Sequence, residues 1–78
     1  MNSPNTFEAL ARQHKATRLA DLLAAYHISS DRAKDLDAED WQRIAQRAGV
    51  HAPSPQTQAL VVSLLAGRER VTAEAAHV

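Results

Sequence analysis

Two segments, DAEDWQRIAQRAGV at residues 37–50 and SPQTQALVVSLLAG at residues 54–67, decide the fold of this chain. In the first segment, acids stand at the start, arginines follow, and Gly49 comes directly after the last apolar position of the stripe. This order suits the helix dipole, and glycine is the commonest residue just past a helix end. The apolar positions have the i, i+3, i+4, i+7 spacing of one helix face: Trp41, Ile44, Ala45 and Ala48. We predict a helix that opens at Asp37, buries this stripe and ends at Gly49, with Val50 closing a Schellman-type contact.

The second segment predicts the central helix of the domain. Ser54 and Pro55 stand in the favoured order for an N-cap and a first helical residue. The helix is predicted to run from Pro55 to about Ala66 and to be stopped by Gly67. It is apolar nearly all round, through Ala59, Leu60, Val61, Val62, Leu64, Leu65 and Ala66. Neighbours on several sides, or a partner subunit, bury such a helix. Leu64→Asp is therefore expected to unfold the domain.

The N-terminal part of the chain carries two apolar stripes with helical spacing. Asn5, with Glu8 three residues later, predicts a capping box and a helix start near Thr6. The first stripe is expected to face the core and consists of Phe7, Leu10, Ala11 and His14; the second consists of Leu19, Leu22, Leu23 and Tyr26. The second stripe is rotated by about 120° from the first at 100° per residue. A break or bend at residues 15–17 explains the offset, so the region is either one bent helix or two helices with a cap at Thr17.

Shorter elements complete the chain. Ser29 or Ser30 is predicted to cap a short turn that ends at Leu36, and residues 68–78 are predicted to form a marginal helix capped at Thr72. The elements together predict an all-α fold, a compact bundle of four to five short helices with a central helical hairpin. The chain is expected to form one small domain, residues 1–78, in which residues 1–5 and 72–78 are frayed.

The composition argues against several kinds of site. The chain has no cysteine and can hold neither a disulfide nor a thiolate ligand. No two of its four histidines are spaced i, i+3 or i, i+4, and its acids lack the pattern of a calcium-binding loop. Its two glycines stand apart, so there is no phosphate-cradling loop, and no recognisable arrangement of nucleophile, base and acid occurs. We expect no metal, no cofactor and no enzymatic activity.

The net charge and the N-terminal residues give expectations about binding partners and cellular location. The formal net charge is zero, so the chain lacks the excess of basic residues that is typical of an autonomous nucleic-acid-binding protein. Residues 1–6 do not have the basic and apolar pattern of a secretory signal, and no apolar run approaches the ~20 residues that span a bilayer. A cytoplasmic protein that does not engage a membrane is expected.

Ala45, Gly49 and Val50 have the spacing of a small helical residue, a turn glycine and an apolar residue. On these residues the segment 41–65 resembles the helix-turn-helix pattern of bacterial DNA-binding regulators. The resemblance implies that the helix from Pro55 to Ala66 enters the major groove. Its first turn would then offer base contacts from Ser54, Gln56, Thr57 and Gln58, while phosphate contacts would come from Arg43, Arg47 and Arg68.

The same segment is also an ordinary helical hairpin whose second arm is the core. On this interpretation the chain is a small regulator or binding module that docks on another protein, and it could self-associate as a homodimer along the apolar helix. A polar rim for such a partner would come from four acids: Asp31, Asp35, Glu39 and Asp40. The neutral net charge ranks protein docking ahead of DNA binding.

Overall fold

Four α-helices make up the chain in the computed structural model, which describes residues 3–76 and the side chains of residues 7–75. They are α1, Ser3–Ala25; α2, Ser30–Ala33; α3, Ala38–Ala48; and α4, Pro55–Ala76. The predicted all-α class is therefore confirmed. α1 packs against both α4 and α3, and α2 packs against α4, whereas α3 and α4 make few direct contacts. The bundle is thus organised around α1 and not around the predicted central hairpin of α3 and α4.

α1 is a single continuous helix, so of the two alternatives the single helix is confirmed and a division into two helices at residues 15–17 is wrong. Thr17 does not cap a second segment, because its hydroxyl donates to the Gln13 carbonyl oxygen one turn earlier, at 2.9 Å. Ala16 in the middle of the supposed break is fully buried in the core. The helix also begins at Ser3 and not near Thr6. Asn5 lies inside the helix, and the predicted capping box with Glu8 is wrong.

α1 ends in a Schellman turn that the sequence analysis did not predict. His27 adopts φ 60°, the left-handed conformation, and is the non-glycine residue with positive φ in the described chain. The His27 N–H donates to the Ala24 carbonyl at 3.0 Å, and the Ile28 N–H donates to the Leu23 carbonyl at 2.9 Å. These two bonds satisfy carbonyl groups that a helix end leaves unpaired.

α2 is capped by Ser29, as predicted, but it ends at Ala33 and not at Leu36. Its first residue is held from a distance by α4. The Glu69 carboxylate accepts from the Ser30 N–H at 2.8 Å and from the Ser30 hydroxyl at 2.7 Å. This clamp joins residues 39 positions apart and fixes α2 against α4.

α3 has the start and end that the sequence predicts. Asp37 is the N-cap of a capping box whose other member is Asp40, and Gly49 closes the helix with φ 75°. The Val50 N–H donates to the Ala45 carbonyl at 3.0 Å, which confirms the Schellman-type contact. A long-range contact supports this end as well, because the Arg18 guanidinium donates to the Ala48 carbonyl at 2.9 Å.

α4 starts as predicted and ends ten residues later than predicted. Ser54 caps it, with its hydroxyl 3.3 Å from the Thr57 N–H, and Pro55 is the first helical residue. Gly67 does not stop the helix, and Thr72 is no cap, because α4 runs through both to Ala76. That residues 1–5 and 72–78 fray stays a prediction, and residues 1–2 and 77–78 lie outside the described range.

The core of the described chain is centred on one face of α1, which supplies four of its nine buried apolar residues, and four of the nine are alanines. Its buried apolar residues are Ala16, Leu19, Ala20, Leu23, Ala33, Trp41, Ala45, Val61 and Leu65. Trp41 is 3% exposed and belongs to this core, as its phase with Ile44 predicts. α4 contributes Val61 and Leu65, while Leu60, Val62 and Leu64 are half-buried and Ala59 and Ala66 are exposed. Within the chain, neighbours fully bury only one face of α4, whereas its burial by a partner subunit stays a prediction. Leu64 is not the most buried position to test.

Candidate interaction surfaces

The first part of α1 stands clear of the bundle. Every residue from 7 to 14 is exposed, including Phe7 at 76% and Leu10 at 59%. We call this segment, residues 7–14 of α1, the N-terminal arm. The expectation that its apolar stripe faces the core is wrong.

The direction of the arm's stripe follows from the continuity of α1. At 100° per residue, the Phe7–Leu10–Ala11–His14 stripe is centred about 180° from the buried stripe of Ala16, Leu19, Ala20 and Leu23. A straight helix cannot turn both faces toward one core. The arm therefore presents an aromatic ring, a leucine and two smaller neighbours on the face opposite the bundle.

The four acids proposed as a polar rim lie on and around α2 and α3, and three of them are fully accessible. Asp31 pairs with Lys34 at 3.3 Å and Glu39 pairs with Arg43 at 3.6 Å, in both cases on exposed side chains. Asp35 is exposed. Asp40 is half-buried, and its carboxylate accepts from the Asp37 N–H at 3.4 Å in the capping box. The surface ion pairs contribute little to stability and leave these carboxylates open to solvent.

Most of the predicted base-contacting side chains are engaged at the start of α4. Thr57 is 4% exposed, and its hydroxyl lies 3.2 Å from that of Ser54. A buried hydroxyl does not reach a DNA base edge in this fold. The Gln58 amide donates to the Pro53 carbonyl at 3.2 Å. Gln56 is exposed, with its side chain on the surface of the first turn.

The predicted phosphate-contacting arginines are each tied to another residue of the chain. Arg43 pairs with Glu39 on α3. Arg47 donates to the Tyr26 hydroxyl at 2.8 Å, with its guanidinium 5.9 Å from the centre of that ring. Arg68 pairs with Asp21 of α1 at 2.8 Å. Arg47 thus links α3 to the turn after α1, and Arg68 links α4 to α1.

A groove of about 530 Å³ lies between the end of α1 and the second half of α4. Its charged lining residues, Arg68 and Glu69, make the contacts to Asp21 and Ser30 that hold the bundle together. His27 lines the same groove at the left-handed turn. The polar groups of this groove therefore serve the packing of α1, α2 and α4.

Sequence reasoning missed two structural side chains, Arg18 and Glu69. Each bonds to a residue at least 30 positions away, so no local pattern marks its partner. The exposure of Phe7 and Leu10 was also missed, although a signal was present. The rotation between the two stripes of α1 means that one of them faces away from the core whenever the helix is continuous.

Within the described range, 3–76, no helix has the length and apolar character needed to cross a membrane. Among these residues no three His, Asp or Glu side chains gather in a group that could hold a metal ion. Comparisons of the chain with models of known protein families, with curated proteins and with solved structures find no match.

Proposed function

We propose that this chain is a non-enzymatic helical module that acts by docking on a protein through the N-terminal arm of α1. The exposure of Phe7 and Leu10, on a helix segment in which every residue from 7 to 14 is exposed, is the observation that carries the proposal. Docking buries the apolar surface of aromatic and leucine side chains. Each Å² that is removed from water favours the complex by a free energy of roughly 25 cal/mol. Phe7 and Leu10 lie outside the buried core and keep most of their apolar surface exposed, so that surface is available for a partner.

The form of the arm also supports docking. A helical segment with anchors at i, i+3, i+4 and i+7 is the usual ligand of an apolar groove or of a second helix. The arm continues from a part of α1 that is already fixed in the core, so its helix needs no separate nucleation. A pre-formed helix loses less conformational entropy on binding than a disordered segment does.

Asp31, Asp35 and Glu39 supply a second, acidic surface around α2 and α3. We propose that these three exposed carboxylates steer the partner and that Asp40 acts through its cap. Rim charges of this kind affect association rates and salt dependence more than affinity.

DNA binding through α4 is the competing function. It would need base contacts from the exposed Gln56 and phosphate contacts from Arg43, Arg47 and Arg68, which now hold partners within the chain. Fluorescence anisotropy with mixed duplex DNA tests it, because phosphate contacts give binding that falls steeply with salt. Saturable, salt-sensitive binding at low salt would place DNA ahead of protein docking; we expect no binding.

Site-specific photo-crosslinking in the cells of origin tests the docking proposal directly. A benzophenone amino acid replaces Leu10 in the arm or, as a matched control, Ser63 on the exposed face of α4. We expect a discrete crosslinked protein from position 10 that is absent from position 63. Equal crosslinking from the two positions, or none from either, would contradict docking through the arm.

A further inference from the structure

We propose that the partner of the N-terminal arm is the arm of a second copy of this chain, paired antiparallel across a two-fold axis. This proposal rests on the proposed docking function and names its partner. It comes from two charged residues beside the apolar stripe, Glu8 and Lys15. Neither forms an ion pair within the part of the chain that the structure describes.

Glu8 and Lys15 lie on the same flank of the stripe. At 100° per residue both fall roughly 90–110° from the stripe's centre, the region that borders the contact in paired helices. The opposite flank carries the neutral Gln13. One flank of the arm therefore holds two opposite charges, separated by about two turns.

The two-fold symmetry of an antiparallel pair brings these charges together. The midpoint between Glu8 and Lys15 lies between Ala11 and Arg12, about one residue from the centre of the stripe. When two arms cross antiparallel about this point, Glu8 of each copy stands level with Lys15 of the other, on the same flank. Both residues lie about 5 Å along the axis from the midpoint, so the two pairs form together.

A parallel arrangement would not bring these charges together. Its two-fold axis runs along the helices, so the flank with Glu8 and Lys15 borders the opposite flank of the other copy, which carries the neutral Gln13. The charge pattern thus selects antiparallel pairing over parallel pairing.

The apolar area of the stripe determines how strongly two copies of the chain are expected to associate. Stable interfaces bury about 800 Å² per partner, and a fully buried aromatic ring contributes ~150–250 Å². Two turns of helix around one phenylalanine and one leucine reach roughly half of the standard area. We infer a reversible dimer that forms between roughly 10 µM and 1 mM.

Sedimentation equilibrium of the full chain tests the pairing. The wild-type protein is expected to approach twice the 8.5 kDa mass of the chain across this concentration range. Leu10→Asp is expected to weaken association at least ~100-fold, because it places a carboxylate in the stripe. Far-UV circular dichroism confirms that the variant is folded, and Ser63→Asp serves as the exposed-site control.

Charge reversal tests the antiparallel register. Glu8→Lys and Lys15→Glu each place like charges against each other in the self-pair, and each is expected to weaken self-association roughly tenfold. An equimolar mixture of the two variants has opposite charges at both contacts, so the mixed dimer is expected to regain wild-type affinity within about threefold. Variants that associate as the wild type does, or a mixture no tighter than its components, would overturn the antiparallel pairing.

The outcomes separate this proposal from the docking function beneath it. A wild-type chain that stays monomeric at about 1 mM, together with a heterologous crosslink from position 10, overturns self-pairing and leaves docking in place. Monomeric behaviour without any position-specific crosslink overturns both.

Discussion

His27 and Gly49 occupy the same position in two helix ends, the left-handed residue of a Schellman turn. Their φ angles are 60° and 75°. Glycine takes this conformation without steric strain, whereas a residue with a Cβ atom incurs roughly 1–2 kcal/mol. The end of α3 was predictable from the sequence because its turn carries a glycine. The end of α1 was not, because its turn carries a histidine.

His27→Gly is therefore expected to stabilise the domain by about 0.5–1 kcal/mol, which is the relieved strain less the extra chain entropy of glycine. The free energy of unfolding in urea measures it. Gly49→Ala is the matched control and is expected to destabilise the domain, because alanine is strained at this positive φ. An added Cβ would meet no clash, since its nearest neighbour is the Arg18 Nη2 at 3.9 Å, so the effect comes from backbone strain alone. A loss of stability in His27→Gly would show that the imidazole makes a contribution that outweighs the strain.

At the scale of the helix, local signals predicted starts better than lengths. Caps at Ser29, Asp37 and Ser54 gave three of the starts, because a cap is formed by residues adjacent in sequence. The continuity of α1 depends instead on packing between segments, which buries Ala16 in the core, and α4 continues past Gly67 to Glu69, which bonds to the distant Ser30. No pattern within one segment reveals these contacts, so the sequence left one helix or two open for α1 and predicted an earlier end for α4.

Gly67→Ala tests the continuity of α4. Gly67 has helical backbone, and nothing lies within 4 Å of the place where a Cβ would stand. Alanine is a better helix former than glycine, and we expect a gain of roughly 0.5–1 kcal/mol in the free energy of unfolding. Destabilisation in urea melts would instead mean that position 67 is a left-handed helix stop, as the sequence alone predicted.

The whole molecule measures 45 × 32 × 18 Å, because its long helices extend beyond a small core. The fold class, the core position of Trp41 and the boundaries of α3 were predictable from periodicity. The exposure of the N-terminal arm was not predicted, because the residue spacing of its stripe is the same as that of a stripe that faces a core. Only the packing of Leu19 and Leu23 against the bundle settles that the arm's stripe faces outward.

The thin core makes its central residues sensitive to charge. Val61 is fully buried, and Val61→Asp is expected to remove at least ~3 kcal/mol, enough to unfold a domain of this size. Leu64→Asp should cost less, since Leu64 is half-buried. Ser63→Asp, on the exposed side of the same helix, should stay within ~0.5 kcal/mol. Urea denaturation followed by circular dichroism ranks the three, and an equal loss in all of them would contradict the burial of one α4 face.

The most direct test of the central claim, that the arm lies outside the core and is available to a partner, is the thermal melting of Leu10→Asp beside Leu23→Asp. The two leucines lie in the same helix, one 59% exposed and the other fully buried. In a dilute solution of the chain, at low micromolar concentration, Leu10→Asp is expected to melt as the wild type does, within ~0.5 kcal/mol, while Leu23→Asp unfolds. Loss of structure in Leu10→Asp comparable to that in Leu23→Asp would mean that the arm is part of the core and that the docking surface does not exist.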